Sequence, residues 1–160
     1  MQLLTFGPRQ LSNVMWALGR LGYTPGPAWI TEWCGCAARK LDTYSPQDLA
    51  MSAWGLAASG SVRPQFPTAA PLLMVQMARA CAQPDTLAKC KLQDISNIVW
   101  ANATVGVAPE ASTLQALVHR AHQLLLQGSR LQTLALAQAL ANANATPLDT
   151  DRGNWDSSSS

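Results

Sequence analysis

What this chain has least of is charge. Only 12% of its 160 residues are Asp, Glu, Lys or Arg, with a formal net charge of +2 and a pI near 8.5. That falls short of the basic excess by which a nucleic-acid-binding domain announces itself. Charge alone therefore neither argues for nucleic acid nor excludes it. Long apolar runs are missing too. Although 48% of the residues are hydrophobic, Gln, Asn, Ser and Arg interrupt every apolar stretch before the roughly 20 residues that a membrane span needs. A soluble chain with one domain and a real core is expected.

Chemical signatures are equally scarce. There is no Walker loop, no nucleophile elbow and no HExxH. Cys34, Cys36, Cys81 and Cys90 form neither a CxxC pair nor a zinc spacing, and on a helix the first two would point about 200° apart. They read as structural. His119 and His122 could share one helix face, but no Glu or Asp on that face joins them, since Glu110 falls near the start of the helix, so they read as surface residues. No metal, cofactor, small-molecule substrate or enzymatic activity is expected. Asn102-Ala-Thr104 and Asn144-Ala-Thr146 match a glycosylation acceptor, yet both fall in or just after predicted helices and are discounted.

What is present is repetition. One pattern runs from Pro8 to Gly22, from Ser45 to Gly60 and from Leu92 to Gly106, with a decayed fourth copy from Leu131 to Asn144. Trp16, Trp54 and Trp100 mark the first three, and Ala139 takes that place in the fourth. Five positions earlier the apolar residue is kept as Leu11, Leu49, Ile95 and Leu134. The first two tryptophans are 38 residues apart, the next two 46. A fixed spacing of this kind means stacked modules, which serve as binding surfaces far more often than as active sites. Leu3, Thr5, Phe6, Gly7 and Pro8 also match Leu41, Thr43, Tyr44, Ser45 and Pro46. The chain is thus expected to open inside a repeat, as a piece of a longer protein, with any organelle address upstream of Met1 to Arg9.

Each copy reads as a helical hairpin. Leu11, Val14, Met15, Leu18 and Leu21 share one apolar helix face, with Pro8 at its first turn and Gly22 as its stop. After Pro25 and Pro27 a second helix carries Trp29, Ile30, Trp33, Ala37 and Leu41, and the connection is too short for anything but an antiparallel pair. Gly35, unfavourable inside a helix by about 1 kcal/mol, predicts a close helix crossing there. In the second copy the connection is Val62 to Thr68, Leu72, Leu73, Val75, Met77 and Ala80 mark the second helix, and the eight extra residues fall near Cys81 to Leu87. The third copy's second helix, with Leu114, Leu117, Val118, Ala121, Leu124 and Leu125, is predicted to end at Gly128. Pro147 to Ser160, with its four serines and lone Trp155, predicts a disordered tail.

On the first helix Trp16 and Ala17 point to opposite flanks, about 140° and 240° from Leu11. This suits side-by-side stacking in which each tryptophan covers a small residue of the neighbouring repeat. The polar edge, Asn13 and Arg20, is replaced by Met51 and Ala58, by Asn97 and Thr104, and by Leu136 and Ala143. Variation at that edge over a constant core is the mark of a scaffold that presents one changeable surface per module. A solvated face that no partner touches would look the same.

Pro46-Gln47-Asp48-Leu49 followed by Trp54-Gly55-Leu56-Ala57, and Leu11-Ser12-Asn13 followed by Trp16-Ala17-Leu18-Gly19-Arg20-Leu21-Gly22, resemble the octotricopeptide repeat, a helical hairpin of about 38 residues. The pattern is also similar to the helical region of FAST-kinase-like proteins, which often carry a C-terminal RAP domain. The resemblance spans roughly Leu3 to Thr146. It implies an all-α, right-handed α-solenoid of about three and a half repeats over residues 1–146, binding single-stranded RNA in a chloroplast or mitochondrion. Such proteins act in the processing, stability or translation of organellar transcripts, ribosomal RNA included. The chain departs from the family in its long second repeat, in Ala139, and in having no RAP domain after the repeats, so no nuclease activity carries over.

Modular RNA readers set one or a few side chains per repeat against an unstacked base. Asn13 and Asn97 are the candidate readers, since an amide offers both a donor and an acceptor, with Ser12 and Ser96 beside them. Arg9, Arg20, Lys89 and Lys91 lie at the helix ends, where a phosphate track could run, although ordinary surface charge reads the same way. So few cations predict weak binding by this piece alone. The alternative is a protein-binding α-solenoid without RNA contact, which the low charge and the apolar Met51 and Leu136 favour. No membrane partner is expected.

Overall fold

Prolines open most of the helices, where a missing N–H costs nothing. Pro8, Pro27 and Pro46 start α1 (Pro8–Leu21), α2 (Pro27–Ala38) and α3 (Pro46–Ala58), Pro71 lies in the first turn of α4 (Ala70–Cys81), and Pro84 starts α5 (Pro84–Leu87). No proline opens α6 (Leu92–Thr104); there the Asp94 carboxylate folds back to accept the Lys91 N–H at 2.9 Å. The last helix, α7, spans Ala111–Ala145. The computed structural model describes residues 2–63 and 69–145, and among these the chain is all-α with no strand. The predicted tail with Trp155, and 64–68 of the predicted Val62 to Thr68 connection, lie outside the described residues.

The three clear copies end alike. Gly22, Gly60 and Gly106 have φ of 63°, 70° and 69°, the left-handed region that glycine enters without a Cβ penalty. In each, the glycine N–H and the next N–H turn back onto α-helical carbonyls. Tyr23 bonds Leu18 at 3.0 Å, Ser61 bonds Leu56 at 3.2 Å and Val107 bonds Asn102 at 2.9 Å. This is the paired closure of a Schellman motif, which satisfies carbonyls the helix end would orphan. The openings also repeat, since Gln2–Thr5 and Leu41–Thr43 form matching 3₁₀ turns ahead of α1 and α3.

Contacts divide the chain into residues 1–125 and residues 126–160. In the first unit α3 lies between α1 and α6 and packs most extensively on both, and α4 packs on α2, α3 and α6. The repeat anchors Leu11, Leu49 and Ile95 are buried, as are Met15, Ile30, Trp33, Leu56, Met74, Met77, Ile98 and Leu117. Trp33 is buried whole, and its indole N–H donates to the Leu11 carbonyl at 3.2 Å, so a large ring enters the core without an unpaired donor. The described part of the second unit is the continuation of α7, from 126 to 145.

That continuation corrects two expectations. The third copy's second helix does not stop at Gly128, and the fourth copy is no separate helix: both lie in the single α7. One glycine costs about 1 kcal/mol in a helix, and the surrounding Leu, Gln and Ala outweigh it when no proline follows. Gly128 lacks the positive φ of the three stops. Leu134, the fourth anchor, is 66% exposed where its three counterparts are buried.

The close crossing also lies elsewhere. A Cβ on Gly35 would meet only the Arg39 side chain of its own helix, at 3.5 Å. A Cβ on Gly55 would lie 2.4 Å from the Met15 carbonyl oxygen, and one on Gly19 would lie 3.0 Å from both the Gly55 Cα and Trp54. The α1–α3 contact is therefore backbone against backbone. Trp54 does cover a small residue of the preceding copy, but that residue is Gly19 and not the Ala17 position; its ring also stacks on Trp100, with centroids 6.2 Å apart and planes inclined 27°.

The two glycines should respond oppositely to a methyl group. Gly55→Ala is expected to destabilise the fold by about 1–3 kcal/mol, because the obstructing atoms are backbone. Gly35→Ala is expected to stabilise it by about 0.5–1 kcal/mol, as alanine for glycine does in an unobstructed helix. Urea titrations of both variants measure the difference.

Candidate nucleic-acid interface

Parts of α1 and the N-terminal halves of α3 and α6 border an open groove of about 840 Å³. Arg9, Asn13, Trp16 and Ala17 come from α1, Gln47, Ala50 and Met51 from α3, and Gln93, Asp94 and Asn97 from α6, with Lys89 and Lys91 from the turn before α6. Five of the eight residues singled out from sequence, Arg9, Asn13, Lys89, Lys91 and Asn97, are thus brought together. Arg20, Ser12 and Ser96 do not line the groove.

Ser12 departs most from its expected role. It is fully buried, and its hydroxyl lies 3.0 Å from both the Arg9 carbonyl and the Asp48 carboxylate. The face of α1 that carries it is the one covered by α3, so it cannot reach a base. Asp48 is the hub that joins Ser12 and Arg9 of α1 to Ser45 at the start of α3. Nearly buried, it accepts from the Ser45 hydroxyl at 2.6 Å and the Ser45 N–H at 3.3 Å, while the Arg9 Nε stands 3.2 Å away. The Ser45 hydroxyl in turn receives the Asp48 N–H at 3.2 Å, a reciprocal capping box. Buried carboxylates are tolerable only when paired and hydrogen-bonded.

The same network restrains Arg9. Its Nη1 donates to Gln47 Oε1 at 3.3 Å, yet 54% of the side chain stays exposed, and a guanidinium has five donors. Arg20 places its guanidinium 5.6 Å from the centre of the Trp16 ring, a cation–π contact; Trp16 itself is 42% exposed. Asn13 is exposed and makes no side-chain hydrogen bond among the described residues. Asn97 is half-buried and its amide oxygen accepts from Gln93 at 2.8 Å. Asp94, which lines the groove, and Asp48, which pairs with Arg9 behind it, are both buried and engaged in caps, so the charged side chains of the lining that face solvent are Arg9, Lys89 and Lys91.

Sequence reasoning missed Trp16, Gln47 and Gln93 as groove residues. The signal was there: Arg9, Gln47 and Gln93 hold the same position in the three copies, and each is long and polar. Trp16 was read only as packing because its flank of the helix, opposite Ala17, suited stacking on a neighbouring repeat. Of the other groups, His119 and His122 are exposed on α7 and His119 bonds Gln123 at 3.0 Å. Asn102 is buried, donating its amide to the Ile98 carbonyl at 2.9 Å, where no sugar could be attached without unfolding α6. Among the described residues no helix is long and apolar enough to cross a membrane. No family model, no curated protein and no solved structure matches the chain.

The Asp48 hub has a measurable weight. Ser45→Ala is expected to cost about 1 kcal/mol through loss of the cap, and Asp48→Ala about 2–3 kcal/mol, because it also removes the buried Ser12 bond to the carboxylate and the ion pair with Arg9. Thermal unfolding at neutral pH compares the two.

Proposed function

We propose that this chain is a single-stranded RNA-binding α-solenoid and that the groove along α1, α3 and α6 is its RNA site. The observation that carries the reading is the convergence, in one concave surface, of Arg9, Lys89 and Lys91, of the uncommitted amide of Asn13, and of the exposed face of Trp16. Single-stranded RNA is bound by that combination: cations track the backbone and an aromatic face accepts a stacked base. Asn13 and Asn97 supply base-edge hydrogen bonds, and the alternation of Asn13, Met51 and Asn97 along the three helices gives each copy a different edge to present. Arg20, packed on Trp16, holds the ring in place. The likeness of the repeats to octotricopeptide sequences supports a role in the processing, stability or translation of RNA in a chloroplast or mitochondrion.

A second reading is a scaffold that binds a protein. Leu131 and Leu134, 68% and 66% exposed on the second unit, favour it, since apolar side chains grouped on a surface mark protein contacts.

Fluorescence anisotropy with a mixed-sequence single-stranded RNA at two salt concentrations separates the readings. Binding that falls steeply with salt is expected. Lys89→Ala should weaken it across all sequences and flatten the salt dependence, and Trp16→Ala should cost about 1–3 kcal/mol, the worth of one stacked base. Asn13→Ala should relax base preference instead. No binding even at low salt, or equal affinity of the Trp16 variant, overturns the RNA reading and leaves the protein-binding one.

A further inference from the structure

Cys81 ends α4 and Cys90 ends the turn that follows α5, and the two sulfurs lie 3.3 Å apart with no bond between them. Both side chains are buried, and the Cys90 thiol lies 3.4 Å from the Thr86 carbonyl. Cys81 and Thr86 lie in the stretch by which the second copy exceeds the first, and Cys90 follows it at the position that Phe6 and Tyr44 hold in the other copies. The turn around Cys90 is thin: Gln83, Pro84, Asp85, Ala88, Lys89 and Lys91 are all exposed, and α5 is only four residues long. Opening this turn breaks the Arg120 bond to the Ala88 carbonyl at 2.9 Å and uncovers Cys90, whereas Cys81 lies inside the α4 packing.

We propose that Cys81 and Cys90 form a reversible intrachain disulfide that fixes the turn bearing Lys89 and Lys91 at the rim of the groove. The oxidant is an external small-molecule disulfide. Cys90, as its thiolate, attacks one sulfur of that molecule, forming a mixed disulfide and releasing the first external thiol. Cys81 then gives up its proton and attacks the Cys90 sulfur, expelling the second. Two protein thiols are oxidised, and the external disulfide takes up the two electrons and two protons as a pair of thiols.

The order follows from the surroundings. The hydrogen bond from Cys81 holds the Cys90 thiol below the ordinary range, and that same bond, with burial, pushes Cys81 up. Cys34, in contrast, is pushed up to about 12 by burial alone and remains a thiol, a poor nucleophile. Cys36 sits beside the Arg39 guanidinium at 3.4 Å and is fully buried in α2. The proximity of Cys81 to Cys90, and the burial of Cys34 and Cys36 inside α2, make the reaction selective.

Only the consequence for the groove rests on the RNA reading; the disulfide itself does not. The wild-type chain is equilibrated in mixtures of oxidised and reduced glutathione, alkylated with N-ethylmaleimide under denaturing conditions, and mapped by mass spectrometry. Of the four thiols, two are expected to be lost to alkylation in oxidising mixtures, with one linked peptide joining Cys81 to Cys90 and full recovery on reduction. Alkylation of all four at every ratio, a Cys34–Cys36 link, or a reaction that stops at a glutathione adduct on Cys90 overturns the proposal. The Cys81→Ser variant should stop at that adduct, and the wild-type titration decides the matter if the variant does not fold. The oxidised and reduced chains are then compared for RNA affinity at one salt concentration. A clamped rim is expected to bind about threefold to tenfold more tightly, because preorganisation removes ordering cost. Equal affinities overturn the link to the groove, while absence of binding by both forms counts against the RNA reading alone.

Discussion

The contact on which the rest depends is the one between α1 and α3, where Gly55 leaves no room even for a methyl group against the Met15 carbonyl. With Gly19 lying opposite, two backbones meet with no side chain between them. That closeness lets Trp54 lie over Gly19 and brings Ser12 and Arg9 of one copy within reach of Asp48 of the next. At the equivalent position α6 carries Ala101, also fully buried. Gly19 and Gly55 therefore set the spacing of α1 and α3, two of the three helices that border the groove. The packing density of protein interiors leaves little slack for any larger substitute.

Electrostatics follow from that spacing. A chain with a net charge of +2 has little field to offer a polyanion, and its groove would be close to neutral if Asp48 and Asp94 faced solvent. Both instead turn inward, to the capping positions at the starts of α3 and α6. The caps hold the two carboxylates where the helix dipole favours negative charge and away from solvent, while Arg9, Lys89 and Lys91 keep their exposure. The same residues thus start the helices and leave a groove rim of one sign, which is how a weakly charged protein can present a locally basic surface.

Much of the fold was legible from the residues. The anchors Leu11, Leu49 and Ile95 are buried, the glycine stops at 22, 60 and 106 are left-handed, and the prolines stand at helix starts. Each is a local signal read from period or from φ preference, so each survives whatever the tertiary context does. The failures were of another kind. Gly128 resembled Gly22 in sequence and did not act like it, because nothing after it competes with helix. Gly35 and Gly55 are both helical glycines, and only a neighbouring backbone distinguishes them. Ser12 and Asn13 are adjacent and polar, yet one bonds a buried carboxylate and the other faces solvent.

The order of residues by itself determined the all-helical class, the length of the repeat, where the early helices begin and stop, and which face of each is apolar. These follow from periodicity, from proline's missing donor and from glycine's freedom at positive φ, and they need no knowledge of neighbours. Only the tertiary structure decided which glycines became contact points, that Trp54 packs while Trp16 stays open, that Cys81 and Cys90 are neighbours, and that Arg9, Asn13, Asn97 and the two lysines share one groove. Those are distances between segments tens of residues apart, set by how closely helices can approach, and no local propensity encodes them.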